Sequence, residues 1–134
     1  MQTIYEAKAS TTSQPIIERV KTFDDACKVL GLDKVQVGLI GLDDDTNSIV
    51  AYTKLVIIAK ALNEGWKPDW TDSDQRKYVP WFELKAGFGL AYYDFDDWFA
   101  YTNVGSRLCF KTAELAKYAA TQFADIYNDF LTTK

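Results

Sequence analysis

Tyr78-Val79-Pro80-Trp81-Phe82-Glu83-Leu84-Lys85-Ala86-Gly87-Phe88-Gly89-Leu90-Ala91-Tyr92-Tyr93 is the stretch on which the fold turns. Tyr78 to Lys85 alternates roughly between apolar and polar, as a half-buried strand does, and Pro80 suits an edge or a strand's beginning. Gly87 to Tyr93 reads as a second strand, close enough to close a hairpin through Ala86 and Gly87. Asn103 to Phe110 reads as a third, after a connection that contains Trp98, Phe99 and Tyr101.

Around these strands the chain reads as helices. Thr22 opens one: its hydroxyl caps the first turn, Asp24 and Asp25 face the positive end of the dipole, and Gly31 supplies a left-handed exit. Phe23, Ala26, Cys27 and Leu30 fall at helical spacing on one buried stripe. A longer helix is expected from Thr46, Asn47 or Ser48 to about Asn63, closed by Gly65, after the acidic run Asp43-Asp44-Asp45. Its apolar residues cover more than one face, which suits a central helix packed on two sides. Thr112 caps a last helix whose stripe runs through Leu115, Tyr118, Ala119, Gln122, Phe123, Ile126, Tyr127 and Phe130. Residues 34–42 make a doubtful strand, because two glycines interrupt them. Segregated helices and strands predict an α+β fold: a three-stranded antiparallel sheet in the C-terminal half, packed against about three helices. Residues 1–14 read as a flexible N-terminal arm and 15–134 as one domain.

Composition narrows the chemistry. The 134 residues include no histidine, which removes His bases, Ser-His and Cys-His pairs and His metal ligands. Fifteen Lys and Arg against 19 Asp and Glu give a net charge of −4, so nucleic acid is not the expected partner. The two cysteines, Cys27 and Cys109, have no CxxC spacing and read as reduced, buried thiols of a cytoplasmic protein. The apolar run Leu55-Val56-Ile57-Ile58 is bracketed by Lys54 and Lys60, and Met1 to Ser10 lacks the basic and apolar regions of a secretory signal. No membrane span is expected.

Aromatic density is the most unusual feature. Twelve of the aromatics lie between Trp66 and Tyr101, more than one sheet face can bury. Where Trp81 and Phe82, or Tyr92 and Tyr93, are strand neighbours, they point to opposite faces. Trp66, Trp70, Trp81, Tyr92, Tyr93, Trp98 and Tyr101 are therefore the expected contact surface for a protein partner or a second copy, because aromatics dominate interfaces. The competing reading is a second small core under the 66–78 and 94–102 loops. An alternative function is a small, nucleotide-like ligand in an aromatic pocket, with Arg76, Lys85 or Arg107 as anion contacts. Base stacking on single-stranded nucleic acid fits less well. Between Trp66 and Tyr101 four basic residues stand against seven acidic ones, a net charge of −3.

Three Asp clusters (Asp43 to Asp45; Asp69, Asp72, Asp74; Asp94, Asp96, Asp97) supply oxygen ligands but follow no cation-binding loop pattern. They read as turn and cap chemistry, with metal-dependent hydrolysis as a remote alternative. Gly87-Phe88-Gly89 lacks the features of a phosphate loop, and Gly105-Ser106-Arg107 has no base partner for a nucleophile. No metal, cofactor or catalytic residue is expected.

Thr22-Phe23-Asp24-Asp25-Ala26-Cys27, the string Ile57-Ile58-Ala59-Lys60-Ala61-Leu62-Asn63-Glu64-Gly65-Trp66-Lys67-Pro68-Asp69-Trp70, and Gly105-Ser106-Arg107-Leu108-Cys109-Phe110-Lys111 resemble a family of small proteins of gut Bacteroidetes phages, crAss-like phages and prophages. The resemblance covers most of residues 16 to 131. It implies a phage-encoded product of the host cytoplasm or a virion component, and it supplies no activity and no catalytic residues.

Overall fold

The computed structural model describes residues 14–32, 43–72, 74–85, 89–97 and 106–132, with the backbone alone for 83–85, 89–97 and Ser106. The expected arm at 1–14 and the doubtful strand at 34–42 lie outside it, apart from Gln14.

A short helix α1 (Ile16–Arg19) leads into α2 (Phe23–Val29). Thr22 and Asp25 form a reciprocal capping box: the Asp25 N–H donates to Thr22 Oγ1 at 3.1 Å, and the Thr22 N–H to Asp25 Oδ2 at 3.2 Å. At the exit Gly31 takes a φ of 73°. The Leu32 N–H then reaches the Cys27 carbonyl at 2.9 Å and the Gly31 N–H that of Lys28 at 3.1 Å, the paired bonds of a Schellman ending.

Helix α3 spans Asp43–Leu62 and starts before the expected Thr46 to Ser48. The acidic run lies inside its first turn, where carboxylates meet the positive end of the dipole. It packs against α2, against the two C-terminal helices and against the turn at 106–108, the central position its wide stripe requires. Ala51, Leu55, Ile58, Ala59, Ala61 and Leu62 are buried, while Ile49 is exposed.

The strands β1 (Tyr78–Lys85) and β2 (Gly89–Asp97) form one antiparallel ribbon, in register from Tyr78 opposite Asp97 to Lys85 opposite Gly89. Between Trp81 and Phe82 the register slips: Trp81 faces Asp94 and Phe82 faces Tyr92. Tyr93 is the extra residue of this bulge.

The α+β expectation, with its three-stranded sheet, is corrected here. The described chain is mostly helical, with five α-helices, and no third strand joins the ribbon among the described residues. Of the strand expected over Asn103–Phe110, residues 103–105 lie outside the description, Ser106–Leu108 is a 3-10 turn, and Phe110 makes a single bridge to Tyr78. That bridge is closed on both sides, with the Phe110 N–H on the Tyr78 carbonyl at 2.7 Å and the Tyr78 N–H on that of Phe110 at 3.0 Å. The next rung would pair Leu108 with Pro80, which has no N–H to donate. On the far edge, the Asn63 carboxamide takes the backbone groups that another strand would need. Its Nδ2 donates to the Cys109 carbonyl at 2.9 Å, and its Oδ1 accepts from the Lys111 N–H at 3.1 Å.

The last helix is also divided, into α4 (Ala113–Gln122), capped by Thr112, and α5 (Ala124–Leu131), with the break at Phe123. Leu115, Ala119, Phe123 and Tyr127 all face the core. The Phe82 ring meets that of Tyr127 at 4.9 Å and attaches the ribbon to α5. Tyr118 Oη donates to the Val20 carbonyl at 2.7 Å and Gln122 Nε2 to that of Lys21 at 2.9 Å, tying α4 to the joint between α1 and α2. Both cysteines are buried free thiols, and no described helix is long and apolar enough to cross a membrane.

Replacing Asn63 by Ala leaves a buried carbonyl and a peptide N–H without their partners. Urea unfolding should show a loss of about 2 kcal/mol, with no rescue by Asn63→Asp, whose oxygen would face the Cys109 carbonyl. A loss below about 0.5 kcal/mol would overturn the bridging role of this side chain.

Candidate interaction surface

Strand alternation places Val79 and Trp81 on the side of β1 away from Tyr78 and Phe82, which face the main core. Val79 is covered by a separate small cluster with Cys109 and the half-buried Trp66. Lys77 is one step earlier on the same alternation, and its charge opposes the rise of the Cys109 thiol. Burial is the larger effect on that thiol and pushes it up to about 11, which makes it a poor nucleophile at neutral pH.

Lys77 is only 2% exposed. Its Nζ donates to the carbonyls of Asp72 at 3.1 Å and Gln75 at 2.8 Å, and lies 5.2 Å from the centre of the Trp70 ring. A buried ammonium needs such partners, because burial without them disfavours the charge strongly. The loop around it is tied by its own side chains. Asp69 Oδ1 accepts from the Thr71 N–H at 3.0 Å and the Thr71 hydroxyl at 2.6 Å. The Asp69 N–H donates to Gln75 Oε1 at 2.6 Å, and the Asp74 N–H to Asp72 Oδ1 at 2.9 Å. Turn chemistry accounts for this Asp cluster, as the sequence suggested.

Three consecutive same-side positions thus carry an aromatic layer: Trp70 over Lys77, Trp66 over Val79, then Trp81. Trp66 belongs to a small second core. Trp70 and Trp81 remain 38% and 44% exposed, so the two readings of the aromatic zone apply to different residues.

The other expected site residues divide as follows. Tyr92 and Tyr93 lie on β2, with their side chains outside the description, as are Trp98 and Tyr101 altogether. Arg107 is exposed on the 3-10 turn and not in a strand. Arg76 is exposed just before β1, and Lys85 ends that strand. An eight-residue strand is about 23 Å long at 3.3 Å per step, so Arg76 and Lys85 do not meet around one anion. Among the described residues no three Cys, Asp or Glu side chains are grouped to hold a metal ion. Asn63 and Lys77, which shape this side of the molecule, were not among the expected residues. The one local signal for Lys77 is its place on the alternation of Val79 and Trp81.

No family profile, characterised protein or solved structure matches the chain.

Two outcomes test the loop. Lys77→Met removes the donor to two carbonyls, and chymotryptic cleavage after Trp70 should accelerate about tenfold; an unchanged rate would dismiss the ammonium as its organiser. The Thr71 hydroxyl and then its N–H hold the Asp69 carboxyl below its ordinary value. That stabilisation is complete above the unfolded value of about 3.9 and is lost as pH falls through the lower folded value. The protection of the Thr71 amide, taken relative to its intrinsic exchange rate at each pH, should therefore fall in acid, and Asp69→Asn should abolish the acid-dependent step.

Proposed function

We propose that this chain is a non-enzymatic interaction protein whose contact region is the outer side of β1 and the adjoining loop, centred on Trp70 and Trp81. Two exposed indoles beside a structured loop carry this reading. Trp70 is held over an ammonium that is itself fixed, so little side-chain freedom is left to lose on binding. Exposed, rigid Trp residues supply large contact area and recur as dominant residues of protein interfaces. A phage-type origin is part of the same proposal and rests on the resemblance of the 57–70 and 105–111 strings alone. The ligand-pocket alternative has less support, since Arg76 and Lys85 lie at opposite ends of β1.

Because Trp81 is only partly covered, Trp81→Ala should leave the chain folded, with a stability loss of no more than about 2 kcal/mol. The same substitution, and Trp70→Ala, should abolish self-association in light scattering or capture of a protein partner. Unchanged mass and unchanged partners in both folded variants would sink the reading.

A further inference from the structure

The charge around the aromatic layer points to the kind of partner. Asp69, Asp72 and Asp74 are exposed in the loop around Trp70, against Lys67 and Arg76 as its exposed basic residues, while Lys77 is buried beneath the ring. Along the ribbon, Asp94 stands opposite Trp81 and Asp96 opposite Val79. The stretch from Trp66 to Tyr101 has a net charge of −3 and the whole chain −4. Two copies meeting through this face would bring like charges together. Phosphate backbones would be repelled in the same way.

We propose that the face formed by Trp70 and Trp81 receives a basic segment of a partner protein, one that presents Arg or Lys side chains to the indoles. This rests on the interaction reading above and names the partner's chemistry. The geometry already contains one such contact, that of Lys77 with Trp70 at 5.2 Å. A guanidinium stacked on Trp81 would repeat it from outside, at the register position that Asp94 shares across the ribbon. Cation and indole attract through the ring quadrupole, and Arg stacks on the flat surface better than Lys does. A cationic partner thus joins the two properties of this surface, exposed aromatic area and negative charge.

The test uses the full chain and two defined probes, a blocked tetra-arginine peptide and its tetra-glutamate counterpart, titrated by calorimetry and tryptophan fluorescence. The arginine peptide should bind, and should bind more weakly as salt rises from about 0.05 to about 0.3 M. Trp81→Ala should weaken binding about five- to tenfold. Asp94→Asn with Asp96→Asn should weaken it several-fold, whereas neutralising exposed charges elsewhere, Glu18→Gln with Asp125→Asn, should not. Circular dichroism confirms that each variant folds. Equal losses in the two double variants, or no loss in Trp81→Ala, would reduce the effect to net charge and overturn the proposal. Glutamate peptide bound as tightly, through Trp81, would overturn the cationic partner and leave the interaction face standing. With neither peptide bound, the proposal also falls. A wild-type dimer dispersed by Trp81→Ala would then keep the interaction reading with a second copy as partner, and an indifferent monomer would end both.

Discussion

The two bonds from the Asn63 carboxamide to the backbone at Cys109 and Lys111 are the constraint on which the ribbon's position depends. Asn63 follows the last turn of α3, so its side chain fixes the segment 109–111 to the end of the central helix. That segment carries Phe110, whose one bridge to Tyr78 places β1. A side-chain amide offers the same donor and acceptor as a peptide group, so here it stands in for a neighbouring strand. It also closes an edge that would otherwise present unpaired backbone groups.

From that anchor the two cores separate. Leu108 and Phe110 enter the main core with Leu62 and Tyr127, while Cys109, between them, joins Val79 and Trp66 on the other side. This strand-like alternation within three residues explains why 103–110 reads as a strand in sequence. Pairing depends on backbone groups, and a residue pattern does not report where those go. Pro80 is legible as an edge residue, but that it would have to supply the rung after the Tyr78–Phe110 bridge emerges only once that bridge sets the register.

Much of the helical half was readable because its signals are local. Thr22 with Asp25, Gly31, and Thr112 act within four residues of their own positions. The acidic run at 43–45 was readable as helix chemistry, but its place inside the first turn was not. The exposed indoles were legible only as an excess of aromatics over what a core holds. Which indole lies inside depends on distant partners: Trp66 on Cys109, 43 positions away. Lys77 escaped notice because lysine is seldom buried, and its carbonyl partners are in a loop whose sequence shows only turn residues.

The buried ammonium also bears on why this surface is built as it is. A leucine at 77 would fill the space beneath Trp70 without the desolvation penalty that a charge incurs. It would not, however, offer a donor to the Asp72 and Gln75 carbonyls, which the ammonium holds at 3.1 and 2.8 Å. The charge therefore contributes shape more than stability. With the positive group turned inward, the loop keeps its carboxylates in solvent around an indole of fixed orientation. A surface designed only to stay soluble would need neither the fixed ring nor the buried cation.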